Sequence, residues 1–262
     1  MPSLVGAEMC IRDSISGVKN LPEVLPGDDL AVLIIEALAR EGFDLLQNDI
    51  VVITQKIVSK AEGRIIDLSS VVPSRQSIEF AEEWGKDARV IELALQESNR
   101  VVRMQDGILI TENKNGFVCA NSGIDASNVG KNGDFVILLP VDWDKSAMAI
   151  KRRIEELTDV QVAIVISDTF GRPWREGAIN VAVGVAGMDP LVDYRGIEDT
   201  DGREMHSTTI ATADELASAA ELVMNKIDRI PAAFVRGYEF RISTENSGVQ
   251  PLLRDIDKDL FK

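Results

Sequence analysis

Residues 163–177, AIVISDTFGRPWREG, end a buried-looking apolar run on a carboxylate and a hydroxyl. Asp168 and Thr169 are hard oxygen ligands of the kind that hold Mg²⁺ or Mn²⁺. Arg172 and Arg175 follow on either side of Pro173 and Trp174. Guanidinium groups so placed suit bidentate recognition of phosphate or carboxylate. The competing readings are an Asp168 that caps a turn before Gly171, and surface ion pairs for the two arginines. A second polar stretch after a strand, 123–128 (GIDASN), carries Asp125, Ser127 and Asn128. Alone it reads equally as an Asx turn. Two strand-end loops with one carboxylate each are what a shared cation site requires. Lys60, in 59–63 (SKAEG) just past a buried strand, is a candidate phosphate partner or a solvated lysine.

Composition removes other chemistries. The chain has 262 residues, one histidine and two cysteines. His206 alone cannot build a multi-histidine zinc site. No G-x-S-x-G elbow accompanies it, so Ser-His-Asp catalysis is not indicated. Cys119 lies in a strand-like run, 116–120, and reads as a small core residue. No Walker A sequence occurs, so nucleotide binding requires another architecture. A net charge of -15 argues against nucleic acid and anionic membrane surfaces as partners. Sparse cysteine favours a cytoplasmic setting, and no apolar stretch reaches transmembrane length. Residues 1–14, MPSLVGAEMCIRDS, resemble translated sequencing-adapter read-through, the alternative being a disordered tail. They are set aside, and 15–262 is expected to form the functional domain.

The elements that must position these residues follow from pattern. Asp29 caps a helix over 30–40, with Gly42 beyond its end. Residues 49–54 (DIVVIT) read as a buried strand. Ser74 and Asp87 open two helices separated by Gly85. Short strands follow over 101–120, with Asn115-Gly116 as a hairpin signal. Strands are expected over 134–139, 160–166, 179–186 and 231–235. Helices are expected over 144–157, with Asp144 as cap, and over 216–226, opened by a capping box at 212–215. The polar stretch 189–206 reads as a lid, a substrate loop or merely an exposed loop. Without strict βαβ alternation, the fold class is α+β, with mixed sheets, flanking helices and two interwoven lobes.

Taken in order, 59–63 (SKAEG), 123–128 (GIDASN), 167–175 (SDTFGRPWR), Tyr194-Arg195-Gly196 and Gly202-Arg203-Glu204 resemble the coenzyme F-420-0:L-glutamate ligase (gamma-glutamyl ligase) family from about residue 17 to 241. The resemblance implies a GTP-dependent ligase that joins L-glutamate to a deazaflavin coenzyme precursor through an acyl phosphate. It further implies two divalent cations (Mg or Mn), a monovalent cation and a homodimer. By motif, Asp125 and Asp168 correspond to ligands of one metal and Thr169 to a ligand of a second. Arg172 and Arg175 fall beside them as anion contacts. Lys19, Asn20, Leu21, Pro22, Thr54, Gln55, Lys60, Asn128, Met224, Asn225 and Lys226 correspond to the nucleotide-binding segments. Two departures stand out: Asn225 and Arg229 occupy positions where the family often carries glycine. The alternatives are a related ligase for a folate-like carboxylate and a non-catalytic GTP-binding regulator.

Overall fold

The computed structural model describes residues 13–125, 134–172, 174–243 and 248–258. In chain order, β1 (Ser14–Gly17) leads through an irregular stretch to α1 (Leu30–Arg40), β2 (Ile50–Thr54) and α2 (Gln55–Ala61). Next come β3 (Ile65–Asp67), α3 (Arg75–Trp84), α4 (Ala88–Gln96), β4 (Ser98–Gln105), β5 (Ile108–Asn113), β6 (Val118–Ala120) and β7 (Phe135–Ile137). The chain then forms α5 (Trp143–Thr158), β8 (Ala163–Arg172), β9 (Arg175–Ala186), β10 (Val192–Asp193), β11 (Thr209–Ile210), α6 (Thr212–Met224) and β12 (Ala232–Arg236). Mixed sheets with flanking helices make this the expected α+β fold.

The main sheet runs β1-β12-β2-β8-β9. Among the described residues only β2 and β8 pair in parallel, with Thr54 opposite Ser167. Ile50 to Ile53 and Ala163 to Ile166 are fully buried, which explains their continuous apolar sequence. These strands and parts of α1, α5 and α6 share one core. Two smaller cores lie in the chain between α2 and α5. One joins Leu68, Leu93, Val136 and Leu138, and the other joins Phe80, Ile91, Ala94 and Leu109. Ile124 packs against both, so the residue before Asp125 is anchored on two sides.

Several boundaries differ from the sequence expectation, for identifiable reasons. Ser14 pairs with Arg236, so the sheet begins one residue inside the stretch set aside, of which 1–12 lie outside the described residues. The strand carrying Asp168 continues to Arg172 and turns directly into β9. The expected strand-end loop is therefore a long hairpin, with Arg172 opposite Arg175 at its tip. The polar stretch 189–206 is partly a ladder: β10 pairs with β11, and Glu198 bridges Glu204.

Two helix caps are corrected in the same sense. The side chain capping α5 is Asp142, which accepts from the Lys145 amide. Helix α6 starts at Thr212 itself, with Ala211 in the cap position, so the expected capping box does not form. The freed carboxylates serve the sheet instead. Asp144 accepts from the amides of Val185 (2.9 Å) and Val249 (3.1 Å), and Asp214 accepts from Ala182 (2.9 Å). Strand β9 is an edge strand. Its outward N–H groups thus meet acceptors from two helices, a protection that edge strands need. Helix α5 approaches so closely that a Cβ on Gly184 would lie 2.6 Å from the Trp143 carbonyl oxygen.

Burial raises the Asp144 carboxyl above its ordinary value, so its charge is a cost and its acceptor oxygens are the benefit. Asp144→Ala is expected to lower the unfolding free energy by about 2–4 kcal/mol, because it strands two amides. Asp144→Asn, which keeps one acceptor, is expected to lose about 1 kcal/mol or less. Urea denaturation of both variants checks this.

Candidate active site

The site forms where the parallel strands β2 and β8 deliver their carboxyl ends, the usual ligand-binding edge of such a pair. Thr54 ends β2, and Gln55 starts α2 beside Asp168. The buried Gln55 side chain accepts from the Ser59 hydroxyl (3.0 Å) and hydrogen-bonds Asp168. The Asp168 carboxylate also accepts from the Thr169 amide at 2.8 Å. Burial nevertheless dominates and, helped by the negative charge of Asp125, pushes the Asp168 carboxyl up to about 6. Lys226 opposes that rise through its charge.

Asp125 pairs across the ladder with Ile137, so a three-residue strand, β7, holds it in place. Its carboxylate lies 2.6 Å from the Lys56 ammonium. Lys60 pairs with Glu23. The Glu23 carboxyl is held below its ordinary value, first by the hydrogen bond from Lys60, and further by the charges of Lys60, Arg229 and Lys56. Thr169 donates its hydroxyl proton to Asn180 Oδ1 (2.8 Å) and accepts from the Lys226 ammonium. Asn180 in turn donates to Glu221 Oε2 (2.8 Å), and Glu221 Oε1 lies 3.2 Å from Lys226.

The structure therefore brings together Asp125, Asp168, Thr169, Gln55, Lys60 and Lys226 from the sequence-derived set. Lys19, Asn20, Leu21 and Pro22 follow β1 in the stretch that carries Glu23 to Lys60. Met224 is corrected: its side chain is fully buried in the main core, so Asn225 and Lys226 are what that segment presents. Asn128 lies outside the described residues. Arg172 is half-buried with its Nη2 on the Glu176 carbonyl, and Arg175 is exposed opposite it near the hairpin tip.

Lys56, Glu23, Asn180, Glu221 and Arg229 escaped the sequence reading. Lys56 stands four residues before Lys60, on the same face of α2, and that spacing was a usable signal. Asn180 and Glu221 are joined to Thr169 only by strand register and helix packing, which leave no local signature. Cys119 is also corrected. It is half-buried on β6 rather than in a core, and burial together with the charge of Asp168 pushes its thiol up to about 12. It is therefore a neutral thiol rather than a nucleophile. His206 is exposed, with Glu204 3.5 Å away.

Among the described residues no three His, Cys, Asp or Glu side chains cluster as a ready metal cage. The two carboxylates suit a hard cation that completes its shell with water and substrate phosphates, as Mg²⁺ commonly does. Asp125 and Asp168 therefore fit one such ion. The positive backbone angles at Asn225 (φ 53°) and Arg229 (φ 56°) account for the glycines that the family resemblance carries there.

The sign of the Asp168 shift sets a pH dependence. Its folded pKa lies above the ordinary value of 3.8, so the ionised form destabilises the cation-free fold above pH 6. In EDTA at pH 7, Asp168→Asn is expected to be more stable than the parent by about 2–3 kcal/mol. That gap should close as the pH falls toward 4. Urea melts across this range check it, and a gap that stays constant would contradict the assignment.

Residues 18–237 match the family model described as F420-0:Gamma-glutamyl ligase. The chain is 47% identical over 250 residues to a Coenzyme F420:L-glutamate ligase of Methanothermobacter thermautotrophicus, covering 95% of this chain and 98% of that one. It is 42% identical to the protein of the same description from Methanopyrus kandleri, over 92% of this chain and 94% of the relative. The Methanocaldococcus jannaschii protein so described is 41% identical, over 84% and 87% respectively.

Proposed function

The chain belongs to the F420-0:gamma-glutamyl ligase family and is a ligase, and from that premise we propose that it joins L-glutamate to the deazaflavin coenzyme F420-0 with GTP as the energy source. The observation that carries this reading is the meeting of Asp125 and Asp168 with Lys56, Lys60 and Lys226 at the carboxyl ends of β2 and β8. Such a set suits a nucleoside triphosphate and an acid substrate, both anionic.

In this reading a carboxylate oxygen of F420-0 attacks the γ-phosphorus of GTP, and GDP leaves. The glutamate amine then attacks the acyl phosphate carbon. An amide bond forms, inorganic phosphate leaves with the acyl C–O bond broken, and the amine loses its proton. A divalent cation between Asp125 and Asp168 would neutralise phosphate oxygens during both steps. Lys60 and Lys56 hold phosphate charge, and Gln55 fixes the Asp168 carboxylate. Arg172 and Arg175 supply guanidinium groups for a substrate carboxylate or phosphate at the hairpin tip. Holding the reactants in contact is the main source of rate in such a transfer.

The homodimer belongs to the same proposal. Its support is the β8–β9 hairpin, whose tip exposes Trp174 with 78% of its surface accessible. Light scattering should give about twice the 28.7 kDa chain mass.

The direct test incubates the protein with GTP, L-glutamate, Mn²⁺, a potassium salt and F420-0. Mass spectrometry should show glutamylated product with equimolar GDP and phosphate. Absence of product with any divalent cation would overturn the proposal. Asp168→Asn and Asp125→Asn should each lower kcat at least about 1000-fold, the scale of losing a principal electrostatic group.

A further inference from the structure

The described site offers one cation place built from two carboxylates, whose charge exceeds that of the one ammonium, Lys56, set on Asp125, and a second place where an ammonium meets only a neutral hydroxyl. The Thr169 hydroxyl has one proton and two lone-pair directions. The proton goes to Asn180 Oδ1 at 2.8 Å, and the Lys226 ammonium takes a lone pair. Glu221 fixes both neighbours: it accepts from Asn180 Nδ2 at 2.8 Å and pairs with Lys226 at 3.2 Å. The oxygen that the family resemblance gives to a second metal is thus tied into a four-residue network. The nearby carboxylates are also committed. Glu221 serves Asn180 and Lys226, while Asp168 faces Asp125.

A divalent ion on Thr169 would sit beside a resident ammonium, and like charges at that range repel strongly. The chain leaves it one neutral hydroxyl, already hydrogen-bonded to Asn180 and Lys226, and a carboxylate shared with the first cation, so water and phosphate would have to supply nearly its whole shell against that repulsion. A second divalent cation therefore does not fit here. We propose that the Lys226 ammonium takes the place of a second metal ion in this chain, so that the site works with a single divalent cation on Asp125 and Asp168. Asn180 and Glu221 are its positioning residues: Asn180 holds the Thr169 hydroxyl, and Glu221 holds both Asn180 and the ammonium. The backbone supports this placement, since Asn225, one residue before Lys226, adopts φ 53° and turns the chain out of α6. This inference rests on the Asp125–Asp168 cation site of the proposed function.

Counting bound Mn²⁺ tests it without using activity. Equilibrium dialysis and electron paramagnetic resonance are run on the full chain, alone and with a non-hydrolysable GTP analogue. The parent should bind one Mn²⁺ per chain and give an uncoupled mononuclear signal. Lys226→Gln, which removes the charge and offers an amide oxygen at similar reach, should bind two and show the broadening of a coupled pair. Lys226→Arg should bind one. Lys226 is exposed, so these variants should keep the parent melting temperature, and that is measured first. Two Mn²⁺ in the parent, with or without the analogue, overturn the inference. So does a single Mn²⁺ in Lys226→Gln. No Mn²⁺ in the parent would instead overturn the carboxylate site itself, and the two failures are thereby distinguished.

Discussion

The structure depends on one costly arrangement: the Asp168 carboxyl is buried beside a second carboxylate, Asp125, and burial first, then that charge, raises its pKa. Left alone, such a pair would repel and loosen the segment that carries it. Asp168 cannot withdraw, because Ser167 and the four residues before it are buried in β8, between β2 and β9 of the main sheet. Asp125 cannot withdraw either, because its ladder to Ile137 and the packing of Ile124 fix its backbone. The rest of the site offsets this repulsion. Lys56 sits on Asp125, Gln55 and the Thr169 amide bind Asp168, and Lys226 adds its charge. The divalent ion proposed for this pair would relieve what the fold tolerates.

Much of this was legible in the sequence where local rules govern. The Asp29 cap of α1, the Ser74 and Asp87 caps of α3 and α4 and the apolar run of β2 all formed as the pattern predicts. Asp168 was legible as chemistry because it ends an apolar run, and Asp125 and Lys60 because each lies in a polar stretch soon after one; in the fold Asp168 stays inside β8, one residue past its last pairing with β2. What was not legible was set by tertiary partners. Nothing near Asp144 says that its carboxylate will hold the Val185 amide rather than cap α5. Nothing near Glu221 says that it will orient Asn180, 41 residues away. The hairpin of β8 and β9 hid for a related reason: Gly171, Pro173 and Gly177 read as loop residues, yet two of the three lie within strands that the antiparallel partner keeps extended.

The same contrast explains the two glycine departures. A residue other than glycine at positive φ costs on the order of 1 kcal/mol, and Asn225 and Arg229 both adopt that conformation. Asparagine tolerates it better than most, and its side chain donates to Asp228 within the turn. Arg229 has no such local aid, but its charge acts on Glu23. The turn thus carries backbone strain and sets two cations, Lys226 and Arg229, toward the site. Strain at a functional turn is justified when it places a group that the chemistry uses.

Charge balance connects these local features to the whole chain. The protein carries a net -15, and a diffuse negative field would disfavour the anionic substrates of the proposed reaction. Within the site, however, Asp125, Asp168, Glu23 and Glu221 are matched by Lys56, Lys60, Lys226 and Arg229. Screening confines the acidic surface to roughly a Debye length, about 8 Å at physiological salt. The site is therefore locally neutral, and the one divalent ion proposed for it would turn it positive. An ammonium in place of a second ion keeps part of that positive charge fixed in the chain whatever the metal supply, and leaves the nucleotide to bring or find only one.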